Sequence, residues 1–462
     1  MVSLVRRSVA GAFTPPLVTA LALLALAGCS AGAGAPGSGI GALPLARAAA
    51  GNPVHKYIKH VIVVIQENRS FENFFAGYPG ANAPLKGSAN GKTVALQPIT
   101  FDGPDIVHDW HSAITGWDNG KMDGFYQFGQ NKKGRYLAYA YVKRSLVRPY
   151  WDMANQYVLA DAMYPTEFGG SFTAHLTLIA GTDDVTPRKA EVDIPSAFPD
   201  DCDSPPGTLS SILTPNRVEH AWKGPFPCFD QFKTMAQLLD NAGVSWKYYA
   251  TMLLGAGMWE PYEAIKYVRD GPDWNRNIIV PQTTILTDPS DGNLASVSWV
   301  SPSVEDSDHP ASKSDAGPSW VASIVNAVGE SSYWDSSAIV VLWDDWGGWY
   351  DNAPPPQLDY RGLGIRVPCL IISPYARKGP SGAGYVSHTQ YEYGSILKFI
   401  EEAFDLPYLG ATRDGYSDER STSIDDAFDF TQKPRPFTPF GTKYSRSRFL
   451  HEPPSNKPVD TE

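Results

Sequence analysis

Two pairs of side chains able to bind a cation stand just after short apolar runs. Glu67 and Asn68 follow Val61 to Ile65 with only Gln66 between, and Asp344 and Asp345 follow Ala338 to Trp343 directly. Runs of this length, rich in Val and Ile, have the pattern of strands buried on both faces in a parallel sheet covered by helices. Ligands of such a sheet bind outside the carboxyl ends of its strands, so both pairs would project into one crevice. Alone, either pair reads as a helix cap or a solvated turn. Together, at equivalent strand ends, they form an oxygen-rich set suited to one or two hard or borderline divalent cations.

The elements that must hold these residues are those of an α/β protein. Leu370 to Ile372 is a third apolar run, and Phe232 to Ala242, Trp320 to Val328 and Tyr393 to Phe404 are helix candidates. A mostly parallel central sheet with helices on both faces and long loop insertions is expected, in one elaborated domain over residues 56–430. Among 462 residues, 43% hydrophobic and 19% charged exclude a disordered chain, while 41 Gly and 39 Pro require many turns. A net charge of −11 offers no electrostatic footprint for nucleic acid.

The ends differ from the middle. Residues 1–28 read as an export signal, with Arg6 and Arg7 before the apolar run Leu17 to Ala27. The run ends in Leu26-Ala27-Gly28-Cys29, which resembles a bacterial lipobox. An exported protein lipid-anchored at the cell membrane or surface through Cys29 is expected; the alternative is an ordinary secretory signal and a released protein. Residues 29–55 form an Ala-, Gly- and Pro-rich tether, and residues 431–462 a Pro-rich tail expected to be extended and partly disordered. Cys202 and Cys228 lie in Pro-rich, loop-like sequence, and in an oxidising compartment they are expected to pair. Cys369, at the start of an apolar run, reads as a packed thiol.

The segment Ile58-Lys59-His60-Val61-Ile62-Val63-Val64-Ile65-Gln66-Glu67-Asn68-Arg69-Ser70-Phe71 resembles the opening motif of the bacterial phosphoesterase family that contains phospholipases C and acid phosphatases. Further matches follow in order: His108-Asp109-Trp110, Gly169-Gly170-Ser171-Phe172, Asp308-His309-Pro310, Trp343-Asp344-Asp345-Trp346-Gly347-Gly348, Ser373-Pro374-Tyr375 and His388-Thr389. The resemblance implies an alkaline-phosphatase-like fold, a divalent metal held by Glu67, Asn68, Asp344 and Asp345, and a hydroxyl nucleophile at Ser171. Many members carry Thr there, followed by Pro-Asn-Arg; this chain has Thr173-Ala174-His175 instead. The contacts of that Asn and Arg are therefore in doubt, and His175 is a candidate to replace part of them. Thr214-Pro215-Asn216-Arg217 spells the missing piece but lies within the proposed disulfide loop, without the flanking motif.

Ser171, after two glycines, is placed at a helix N-terminus, where backbone N–H groups favour a phosphate oxygen. His108, His309 and His388 fall in the matched motifs and are expected as phosphate ligands or leaving-group acids, with His111 and His175 as secondary candidates. Arg69 reads either as a phosphate clamp or as a partner of Glu72 one helical turn on. Trp343, Trp346 and Trp349 read either as an aromatic box for a cationic headgroup or as core. The expected function is metal-dependent phosphoric ester hydrolysis through a phosphoenzyme at Ser171, of phospholipase C type on a phospholipid. The alternatives are an acid phosphatase on phosphomonoesters and a non-catalytic surface-binding lipoprotein.

Overall fold

The computed structural model describes residues 53–255, 257–380, 382–455, 457 and 459. The export signal, Cys29 and nearly all of the tether lie outside the described residues. No described helix is long and apolar enough to cross a membrane.

Among the described residues, nine strands form the central sheet: β1 His60–Gln66, β2 Val158–Tyr164, β3 Trp246–Tyr249, β4 Ile278–Ile279, β5 Val297–Val300, β6 Ser337–Trp343, β7 Val367–Ile372, β8 Tyr385–Ser387 and β9 Tyr391–Glu392. Their order is β4-β3-β5-β1-β6-β7-β2-β8, with β9 also on β2. Only β7 runs antiparallel to its neighbours. Its apolar run resembles those of the parallel strands because burial on both faces sets composition, not direction. Residues 61–66 of β1 and all of β6 are buried. Side chains alternate between faces along a strand, so both faces of the sheet are covered.

Helix α1 Phe71–Phe75 follows β1, capped by the Ser70 side chain. Helix α2 Trp110–Trp117 is capped by Asp109, and α3 Ser171–Ala180 follows Gly170. Helices α4 Met235–Ala242, α5 Gly317–Gly329 and α6 Tyr393–Phe404 occupy the three predicted segments, with shifts at the ends of α4 and α5. Helix α6 packs against α3.

Cys202 and Cys228 are bonded, with Cα atoms 4.4 Å apart. The bridge closes a loop spanning 26 positions. In the chain-entropy account, replacing both cysteines by serine should lower unfolding stability by roughly 3 kcal/mol. Urea melts of the double variant coinciding with those of the wild type would reject this. Cys369 is buried, and its burial pushes the thiol pKa up, as an inert packed thiol requires.

The segment expected to be an extended tail packs on the domain instead. The Trp334 indole donates to the Arg435 carbonyl, and Asn326 exchanges hydrogen bonds with the Phe440 backbone. Phe449, on the short helix Arg446–His451, is fully buried against Trp320. Isolated aromatic anchors, without periodicity, hold this segment down.

Candidate active site

Parallel pairing of β1 and β6 sets Gln66 opposite Trp343, so the residues after each strand leave the sheet at the same level. The Asp344 N–H continues the ladder to the Gln66 carbonyl at 2.9 Å. The Asp344 carboxylate then accepts the Asn68 N–H at 2.9 Å. Asn68 takes a left-handed conformation, φ 57°, which brings its backbone under the turn after β6. Gly347 in that turn has φ 58°, and a Cβ on it would lie 2.0 Å from the Asn68 carbonyl oxygen, so only glycine fits. The Gly347 N–H donates to Asp345 Oδ1 at 2.7 Å and so orients that carboxylate.

Ser171 arrives from the loop after β2, whose carboxyl end lies at the same edge of the sheet. As the first residue of α3 it presents its hydroxyl at the helix N-terminus. The hydroxyl donates to Asp345 Oδ2 at 2.9 Å, and the Asn68 amide reaches it at 3.5 Å. His175, one helical turn further along α3, shares that face; its Nε2 lies 3.3 Å from Glu67 Oε1 and 3.8 Å from Asp344 Oδ2. The metal-ligating atoms of Glu67, His175 and Asp344 all lie within 4.8 Å of one another.

His108 and His309 complete the group. His108 Nδ1 donates to the Ile106 carbonyl at 2.7 Å, so its Nε2 lone pair faces Asn68 Nδ2 at 2.7 Å, and Asp345 Oδ2 lies 3.9 Å away. His309 has the opposite arrangement: its Nδ1 accepts the Ala311 N–H at 3.0 Å, leaving the proton on Nε2. The two rings are 6.4 Å apart. Glu67, Asn68, His108, Ser171, His175, His309, Asp344 and Asp345 are each at most 2% exposed, so their charges act with little water between them. Burial, and then Asp344 alongside, push the Asp345 pKa up to about 8, while burial depresses that of His175 to about 4.

The structure thus gathers the four expected metal ligands, Ser171, His108 and His309, and adds His175 beside Glu67 and Asp344. The sequence singled out His175 only as a replacement within the segment where the family carries Pro-Asn-Arg; its i, i+4 spacing from Ser171 is the signal that places it on the same helix face. His388 is not part of the group. It follows the short strand β8, its ring is bonded to Asp161 on β2 at 2.9 Å, and its side chain is 65% exposed. A His388→Ala enzyme should therefore keep kcat/KM within about threefold of wild type, because no contact to the reacting centre is lost. A hundredfold fall in steady-state rate would restore His388 to the chemistry.

Arg69 is neither a clamp on an open phosphate site nor the partner of Glu72. Ser70 caps α1, so Arg69 precedes the helix, and its guanidinium bonds the Asp308 carbonyl and Asn73 beneath Phe74 and Trp349. Glu72 instead donates its backbone N–H to Asp351, which is bound by Arg366. Trp343, Trp346 and Trp349 are fully buried, in ring contacts with Phe74, Phe125 and other core groups, and form no headgroup box. Arg217, of the Thr214-Pro215-Asn216-Arg217 segment, holds Gln357 and the Tyr360 carbonyl. His111 pairs with Glu219 at the surface.

The Phosphoesterase family model matches residues 58–407. Phospholipase C B of Mycobacterium tuberculosis is 26% identical over 449 residues, covering 83% of this chain and 80% of the relative. The non-hemolytic phospholipase C of Pseudomonas aeruginosa is 24% identical, over 76% of this chain and 54% of its own. Among solved structures, an alkaline phosphatase superfamily protein from Vibrio parahaemolyticus aligns over 79% of this chain and 71% of its own, with 12% identity and a TM-score of 0.37. With buried carboxylates, a hydroxyl and histidines gathered at the carboxyl edge of the sheet, and with a family match over most of its length, the chain belongs to the Phosphoesterase family and is a hydrolase of phosphoric esters.

Proposed function

We propose that the chain is a metal-dependent phosphoric ester hydrolase of phospholipase C type that passes through a phosphoenzyme at Ser171, in which the phosphorus of a diester substrate keeps its headgroup. The observation that carries this reading is the Ser171 hydroxyl, held 2.9 Å from Asp345 at the start of α3, beside the Glu67, His175 and Asp344 group. The names of the relatives support phospholipase C over a monoesterase.

The residues fit a divalent cation. Asp344 Oδ2 is buried without a hydrogen bond, and the ion-pair partners of Asp344 and Asp345 are histidines rather than Lys or Arg. Buried carboxylates so arranged are costly unless a cation joins them. Glu67, Asn68, Asp344 and Asp345 would hold it, and it would neutralise phosphoryl oxygens and ease loss of a hydroxyl proton.

The chain's own groups do the rest. Ser171 Oγ forms a bond to phosphorus while its proton passes to Asp345, and the bond from phosphorus to the ester oxygen breaks. His108, in its imidazolium form, gives the departing alkoxide a proton. His309 cannot be that acid while its Nδ1 accepts from Ala311; it donates through Nε2 to a phosphoryl oxygen instead. Water then attacks phosphorus and yields its proton to His108, and Ser171 regains its own from Asp345.

Parallel assays on p-nitrophenylphosphorylcholine and p-nitrophenyl phosphate, with and without chelator, test the proposal. Diester turnover abolished by chelator is expected. Turnover of the monoester alone would favour the acid phosphatase reading, and turnover indifferent to chelator would remove the metal.

A pH dependence follows from Asp345. Its folded pKa, about 8, lies above its ordinary value, so without metal the folded protein binds this proton more tightly than the unfolded chain. The resulting stability is present at low pH and is lost as pH rises towards 8. Chelated protein should therefore melt lower at about pH 8 than at about pH 6, and added cation should reverse the trend. A melting temperature independent of pH in chelator would contradict this.

A further inference from the structure

We infer that His175 is itself a ligand of the cation, so that the site carries a nitrogen donor and takes a borderline transition ion such as Zn²⁺ in preference to Ca²⁺ or Mg²⁺. The inference rests on the metal-dependent reading above and extends it to the composition of the cage and the class of ion it selects.

Three observations support it. The first is placement: Ser171 and His175 occupy one face of α3 at i and i+4, so the helix that delivers the hydroxyl delivers an imidazole to the same side. The second is the lack of any other partner for the ring among the described residues. His175 is fully buried, and neither of its nitrogens makes a hydrogen bond there. An imidazole kept merely as a partner for carboxylates would form a charge-assisted hydrogen bond of about 2.7–2.9 Å. Its contacts at 3.3 Å to Glu67 Oε1 and 3.8 Å to Asp344 Oδ2 are longer than that.

The third is spacing. Donors bound at about 2.0–2.2 Å to one ion stand roughly 3.0–3.5 Å from one another in tetrahedral or octahedral arrangements. The distances from His175 Nε2 lie at or just beyond this range, and Asp344 Oδ2, at 3.8 Å, is itself buried without a hydrogen bond among the described residues. Imidazole suits Zn, Fe, Ni and Cu ions, whereas an all-oxygen set suits Mg, Ca and Mn. One nitrogen among the carboxylates therefore shifts the preference towards the borderline ions.

The test is calorimetric titration of chelator-treated full-length protein with Zn²⁺ and with Ca²⁺. A His111→Ala background is used throughout, because His111, Asp193 and Glu219 form a second group at the surface that could bind metal. His175→Ala should weaken Zn²⁺ binding by about 100-fold and leave Ca²⁺ binding within about threefold. Equal Zn²⁺ affinity with and without His175 would overturn the inference while leaving the metal-dependent reading intact. Absence of binding by either ion in the parent protein would overturn both. Should His175→Ala fail to fold, His175→Gln takes its place, and X-ray absorption of the Zn²⁺-loaded parent provides a second measurement. A first shell of oxygens without imidazole scattering would defeat the inference.

Discussion

A Ser171→Ala enzyme is expected to lose about 10⁴-fold or more in kcat, since removal of a nucleophile that works within a coupled group costs most of what the group supplies. It should also remain folded. Only one oxygen is removed, and with it the 2.9 Å bond to Asp345 and the 3.5 Å contact from Asn68. Asp345 keeps the Gly347 N–H, so the loss of stability should stay near 1 kcal/mol. Rapid-quench kinetics with a radiolabelled substrate, followed by mass spectrometry of the protein, would place the phosphoryl group on Ser171 in the wild type and nowhere in the variant. Undiminished turnover by the variant would eliminate the covalent route and leave direct attack by water.

Gly347→Ala is expected to be as damaging for a different reason. A methyl group would be forced to within 2.0 Å of the Asn68 carbonyl oxygen, from a residue at φ 58° that disfavours any side chain. Backbone cannot yield as a flexible side chain does. Either the turn after β6 shifts, misdirecting Asp345, or the Asn68 backbone lifts away from Asp344. A loss of roughly 3 kcal/mol or more in unfolding stability is expected, together with near-complete loss of turnover. Denaturant melts and steady-state assays would show both. A stable, active Gly347→Ala protein would mean that the close approach of the two turns is dispensable.

What could be read in advance divides along physical lines. The acidic pairs were legible because each stands at the end of an apolar run, and parallel register then brings the run ends level. The position of Ser171 was legible from the glycines before it and the apolar stretch after it. Ring direction was not: the matched motif His388-Thr389 is silent on the turn of the side chain towards Asp161. Arg69 and Glu72 have the spacing of a helical pair, yet the Ser70 cap starts the helix between them, and caps move by a residue for reasons of local hydrogen bonding. The direction of β7 and the packing of the segment after residue 431 depended on partners distant in the chain. Neither a short apolar run nor scattered prolines identifies such partners.

The separation of the partners along the chain has a kinetic consequence. Asn68 and Asp344, joined by one hydrogen bond, are 276 positions apart, and Ser171 and Asp345 are 174 apart. Contacts of such high order form late, after the entropy of closing very long loops has been lost, and they slow folding accordingly. Neither Asn68 nor Ser171 has its aspartate partner until the chain has been made past β6. A nascent chain emerging amino-terminus first, even with β1, α1 and α3 complete, therefore carries the Ser171 hydroxyl without the Asp345 carboxylate that accepts its hydrogen bond. The contacts of Asn68 with Asp344 and of Ser171 with Asp345 both wait on the docking of β6 beside β1.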